Sequence, residues 1–202
     1  MSLVRTHHDI NEDIPIDKGR AVVRHSYRTF LGLALCLLFQ LACTSANLFF
    51  ARTAGLGQWL LSVIYLITGL PGAWFGWHMR FYKCCIDDSS SSFIKVLFFY
   101  LMHCGFCVVA CVSPPVGSND RSLSGFMPAY KIFVSGKTKV LAILYIVGGC
   151  LWGVLALYSL VVFKKIHSLW RGRGHSASAG ASALAAESGM AGPAGRFAAG
   201  RI

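Results

Sequence analysis

Acidic residues are scarce in this chain: it holds eight Asp and Glu against 19 Lys and Arg in 202 residues. Charged residues of either sign make up 13% of it, about half the share in an ordinary soluble domain. That shortage excludes a water-covered globular fold and points to a bilayer protein. No Asp or Glu falls inside a long apolar run. This counts against a proton- or ion-coupled transporter, which places ionisable groups near the midplane. A nucleophile elbow, a Walker loop and an HExxH motif are all missing, so no enzyme is expected, and neither a metal nor a cofactor. HMRFYKCC, residues 78 to 85, is not the Asp-His-His-Cys centre of a protein acyltransferase. The expected outer loops lack cysteine, so no structural disulfide is expected. There is no sustained heptad and hence no coiled coil. The polar start, MSLVRTHHDINEDIPIDKGR, shows no short apolar region with a cleavage site. The first apolar run is therefore expected to act as a retained signal anchor.

What the chain has in abundance is apolar sequence, 55% of its residues. Four runs reach the roughly 20 residues a helix needs to cross hydrocarbon: Thr29–Phe50, Gly57–Trp77, Phe93–Val112 and Val140–Phe163. The expected fold is all-α, an integral membrane bundle of four transmembrane helices over residues 29–163 with short cytosolic termini. Residues 1–28 form a polar tail, and 164–202 a basic and then Ala/Gly/Ser-rich tail. The short ARTAGL connection makes the first two spans an antiparallel hairpin. Pro71, flanked by Gly69 and Gly72, predicts a kink in the second. Gly72–Gly76 and Gly149–Gly153 fit the small-xxx-small pattern, which serves either packing within the bundle or a homo-oligomer contact.

Four spans put both termini on one side, and the cations choose it. Fourteen of the 19 Lys and Arg lie on the terminal tails and the middle connection, which predicts that all three face the cytosol. The loop from Pro114 to Lys139 carries four cations on the opposite side. The net charge of +11 is read as contact with anionic lipid, not nucleic acid, because the basic residues sit at span borders.

Two of those borders carry candidate chemistry. In GWHMRFYKCCIDDSSSS, residues 76 to 92, Arg80 and Lys83 stand among Trp77, Phe81 and Tyr82. Rings of this kind prefer the headgroup region and the cations reach phosphates, so the stretch reads as a short interfacial segment. Cys84 and Cys85 follow at once, either as juxtamembrane palmitoylation sites or as two buried thiols. The second border is FKKIHSLWRGRGHS, residues 163 to 176. Here Lys164, Lys165, Arg171 and Arg173 attract anionic lipid and Trp170 anchors at headgroup depth. The competing reading is a generic stop-transfer flank.

Inside the spans, Cys104, Cys107 and Cys111 share one helical face. The Cys104/Cys107 pair admits a different function, a four-span thiol oxidoreductase or small transporter, although small soft side chains at this spacing ordinarily serve helix packing. His103 is either functional or a hydrogen-bond partner for polar residues of span one such as Gln40, Thr44, Ser45 and Asn47.

At its two basic borders the chain resembles the secretory carrier-associated membrane proteins. The family has four spans, cytosolic termini, and an amphipathic peptide between spans two and three. That peptide runs Trp-aromatic-Arg-Pro-aliphatic-Tyr-Lys-Ala-Phe-basic, with Asp-Ser shortly after. Trp77, Tyr82, Lys83, Asp88 and Ser89 match it, while Met79, Arg80 and Ile86 stand at its arginine, proline and last basic positions. After span four, Ile166-His167-Ser168-Leu169-Trp170-Arg171-Gly172-Arg173-Gly174 is similar to the family's aliphatic-His-Ser-aliphatic-aromatic-Arg-Gly-x-Gly. The resemblance implies a component of post-Golgi and endosomal transport vesicles, moving among trans-Golgi, endosomal and plasma membranes and acting in exocytosis and recycling. It implies phosphoinositide binding at Trp77, Arg80, Tyr82 and Lys83, and partners in the trafficking or fusion machinery. The family's Asn-Pro-Phe adaptor motif is not present in this chain.

Overall fold

The computed structural model describes residues 14, 17–51, 56–87, 90–114, 123–135, 139–172 and 174, with isolated tail positions 178, 182 and 185. Every regular element among the described residues is helical. Helix α1, Asp17–Ala46, passes into a π turn at Asn47–Ala51. Helix α2, Leu56–Ala73, passes through a second π turn, Trp74–His78, into α3, Met79–Asp87. Then come α4, Ser90–Val112, the short α5, Phe126–Val134, and α6, Lys139–Gly172. Four of these stretches are long and apolar enough to cross a membrane: Lys18–Phe50, Leu56–Ile86, Ser90–Val112 and Lys139–Gly172.

Pro71 lies inside α2 without ending it, and the wide π turn begins three residues later. Proline takes one donor out of the ladder, and a π turn is a common way for a helix to absorb such a defect. The segment that follows is therefore helix continuous with span two.

The buried stripe of α6 runs through Tyr145, Gly149, Trp152, Ala156, Ser159, Ile166 and Trp170. That of α4 runs through Phe93, Val96, Tyr100, His103, Cys107 and Ala110. Steps of three and four residues are what one helix face presents to a neighbour. The opposite faces are equally apolar: Leu31, Leu35 and Leu38 on α1 and Val154, Leu157 and Val161 on α6 point outward. In lipid such faces are solvated, and packing rests on close fit. Gly148 allows one close approach, since a methyl group there would stand 2.5 Å from Ser124 Oγ. Of the two small-xxx-small pairs, Gly149 and Gly153 back onto Phe126 and Cys111 of the same chain, whereas Gly72 faces open space.

The sequence leaves 114–139 as a loop; part of it is α5. Helix α4 stops at Ser113, which adopts φ 52° and donates its backbone N–H to Val109 O at 2.6 Å. A left-handed residue followed by proline, here Pro114, is a common helix ending. Gly125, in extended conformation, starts α5, and Pro128 falls in the first turn, where its missing donor costs nothing. Ala129 and Ile132 then join Cys43, Leu141, Ala142 and Tyr145 in a second apolar cluster. Helix α5 thus fills the bundle beyond the end of α4.

Candidate functional site: the basic end of the bundle

Helices α1 and α6 are 30 and 34 residues long, about 45 and 50 Å at 1.5 Å per residue, against roughly 30 Å of hydrocarbon. Their surplus length is the part that carries Lys18, Arg20, Arg24 and Arg28 on one and Lys164, Lys165 and Arg171 on the other. The two overhangs lie side by side. Lys165 Nζ donates to His25 Nε2 at 2.9 Å, and His25 Nδ1 meets Tyr158 Oη at 2.8 Å. Because Nε2 accepts, the imidazole proton sits on Nδ1 and goes to the tyrosine. Ser26 and Thr29, at the same height on α1, reach the other two long helices. Ser26 Oγ lies 3.3 Å from His78 Nδ1, and Tyr100 Oη donates to Thr29 Oγ1 at 3.1 Å. One layer therefore joins residues 25–29, 78, 100 and 158–165. Arg80, Lys83 and Lys95 flank it on α3 and α4, so ten of the twelve described cations gather at this end.

The sequence-predicted residues divide sharply here. Arg80, Lys83, Lys164, Lys165 and Arg171 point outward. Arg80 Nε also donates to Phe75 O at 3.3 Å, and its guanidinium stands 5.1 Å from the Phe99 ring centre. Trp77, Phe81, Tyr82 and Trp170 are all buried, at 3, 0, 7 and 5% exposure. Trp77 meets Tyr100 edge-on at 4.9 Å and His103 at 5.2 Å between ring centres, and Phe81 packs on Phe93 at 6.4 Å. These rings fix α3 and the end of α6 against the bundle and leave the cations to face outward. Cys84 and Cys85 are likewise buried, at 1 and 2%, so this conformation presents neither sulfur for acyl transfer. Arg173, Asp88 and Ser89 lie outside the described residues.

Cys104 and Cys107 are buried within the core and not joined in a disulfide. His103 Nε2 lies 3.2 Å from Ser159 Oγ of α6, an interhelical contact made with span four and not with the span-one residues expected, and 3.7 Å from Cys107 Sγ on its own helix. Thr44 and Ser62 pair at 2.8 Å, and Asn47 donates to Tyr145 Oη at 3.2 Å. Sequence reasoning missed His78, which sits among Tyr27, Phe30, Trp74 and Trp77 with ring centres 4.9 to 6.2 Å away. It also missed the His25 relay. The one available signal was spacing: Lys18 and His25 are seven residues apart on α1, and so on the same face.

The SCAMP family model matches residues 3–173. Secretory carrier-associated membrane protein 2 of Oryza sativa subsp. japonica is 36% identical over 171 residues, which is 85% of this chain and 58% of the relative. Secretory carrier-associated membrane protein 2 of Arabidopsis thaliana is 33% identical over 171 residues, covering 85% and 59%. A secretory carrier-associated membrane protein of Pisum sativum is 34% identical over 171 residues, covering 85% and 57%. The chain thus spans less than two thirds of the length of these relatives. No solved structure matches it. With 85% of its length aligned to such relatives and two basic borders at one end of a four-span bundle, the chain belongs to the SCAMP family.

Proposed function

We propose that this protein is a non-enzymatic membrane component of post-Golgi and endosomal carriers, acting in protein trafficking, exocytosis and membrane recycling. In this reading the basic end faces the cytosol, both termini included. It holds anionic lipid, phosphoinositides among them, and so couples the bundle to membrane composition and to trafficking or fusion machinery. The observation that carries the reading is the convergence of ten cations from four helices on one end. Each cation near an anionic leaflet contributes about 1 kcal/mol. Arg80, Lys83, Lys164 and Arg171 together give about 4 kcal/mol on that scale. The rings act indirectly, by holding those side chains in place.

Two measurements on the full chain test this. Selective permeabilisation with epitopes at both ends and within residues 87–90 reports sidedness; a lumenal signal from any of them overturns the reading. Lipid analysis of the chain extracted in native-lipid discs reports composition. Anionic lipids are expected to be enriched, and less so in R80Q/K83Q/K164Q/R171Q. Equal enrichment in both overturns the lipid role.

A further inference from the structure

A cavity of about 510 Å³ lies between the overhangs of α1 and α6, a volume in the range of small-molecule sites. Two helix faces line it with the same spacing. Helix α1 contributes Lys18, Val22 and His25, and α6 contributes Lys165, Leu169 and Gly172. Each set advances by four and then three residues, so each is one stripe of its helix. The gap persists because small residues face it: Ala21 and Ser168 also line it, and a Cβ on Gly172 would meet nothing within 4 Å.

The lining has a definite chemistry. Val22 is buried and Leu169 half-buried, which makes an apolar wall, while Lys18 and Lys165 stand outward at the mouth. No carboxylate lines the cavity among the described residues. Lys165 is tied back through His25 to Tyr158 by bonds of 2.9 and 2.8 Å. One of its three donors is used there and two remain. A lysine already held costs less conformational entropy to bind a ligand than a free one. The cavity also lies where α1 and α6 leave their apolar runs, at Thr29 and Phe163.

We propose that this groove is a discrete site for one anionic glycerophospholipid. Its phosphate sits between the Lys18 and Lys165 ammonium groups, the Ser168 hydroxyl donates to it, and the upper acyl chain lies against Val22 and Leu169. The apolar wall selects a lipid over a soluble phosphate, which gains nothing from that surface. The inference rests on the lipid-facing reading of the basic end and adds one stoichiometric site to its diffuse field.

Native mass spectrometry of the full chain, titrated with phosphatidylserine or a phosphoinositide, tests it. One lipid is expected to be retained per chain, bound about thirtyfold more weakly in K18Q/K165Q and unchanged in K131Q/K139Q, the two described cations outside the basic end. Gly172→Phe, which fills the groove and leaves every charge in place, is expected to abolish the retained lipid. Matching thermal melts for the variants keep misfolding out of the comparison. An unaffected Gly172→Phe, or no stoichiometric lipid at all, overturns the proposal. So does a soluble inositol phosphate that binds as tightly as the lipid. The acidic residues Asp9, Glu12 and Asp13 precede α1. If lipid is retained only in D9N/E12Q/D13N, the occupant is the chain's own acidic segment and the proposal falls. If R80Q/K83Q removes the lipid and K18Q/K165Q does not, the groove is wrong while the basic end stands. A retained lipid at an end mapped to the lumen gives the reverse: the groove stands and the trafficking reading fails.

Discussion

The two basic borders are alike in sequence and unlike in structure. Each places a tryptophan near cations at or just beyond the end of an apolar run, and each buries that tryptophan. At the middle border α3 ends at Asp87 and α4 starts at Ser90. So α3 packs flush on α4: Trp77 meets Tyr100, Phe81 meets Phe93, and Arg80 lies over Phe99. At the last border no turn joins α6 to its neighbour α1. The two helices pass beyond their apolar runs side by side, and a groove with a lysine on each wall remains. Similar composition gives a sealed surface where a hairpin closes it, and a cavity where two overhangs merely adjoin.

Substitutions can break or sharpen that contrast. The largest effect is expected from Trp77→Ala. Removing a buried ring packed edge-on against a second helix costs about 3 kcal/mol or more, read as a lowered unfolding midpoint in detergent or bicelles. A change under about 0.5 kcal/mol, the range for an outward-facing position, would mean that Trp77 faces lipid after all and that the middle border is not sealed. Next is Gly148→Ala, whose added methyl would crowd Ser124 at 2.5 Å. About 1–3 kcal/mol of overpacking is expected, against almost none for the open Gly72→Ala in the same melt. Tyr158→Phe removes the partner of His25, costing about 1 kcal/mol, and loosens Lys165. Lipid dissociation from the groove should quicken several-fold while the middle border is unaffected. The smallest stability effect belongs to Arg80→Gln, about 0.5 kcal/mol from one exposed cation–π contact. Acyl-exchange labelling of Cys84 and Cys85 sharpens the comparison further. With both sulfurs buried, little acylation is expected in the folded chain, and heavy acylation would mean that α3 swings away from α4.

The four apolar runs were legible because length and a lack of charge suffice to mark a helix that can cross hydrocarbon. The cationic positions at the basic end were legible for a similar reason, since a charge cannot stay in the apolar layer. The direction of the rings was not. Trp77, Phe81 and Tyr82 were read as lipid-facing, because aromatic residues beside a span suit an interface and a core equally well. Helix α5 was hidden because Pro128 and Gly125 look like loop punctuation, although proline in a first turn breaks no hydrogen bond. The His25–Tyr158 contact joins residues 133 positions apart, and no local pattern encodes such a pair.

The sequence by itself determined that this chain is a four-span helical membrane protein with its cations concentrated at one set of borders. Both follow from the cost of placing charge or unpaired backbone in hydrocarbon. Only the tertiary structure decided which face of each helix turns inward, which rings are buried, and where a groove remains. In a bilayer the surroundings are as apolar as the core, so hydrophobic periodicity no longer distinguishes inside from outside, and close packing makes the choice.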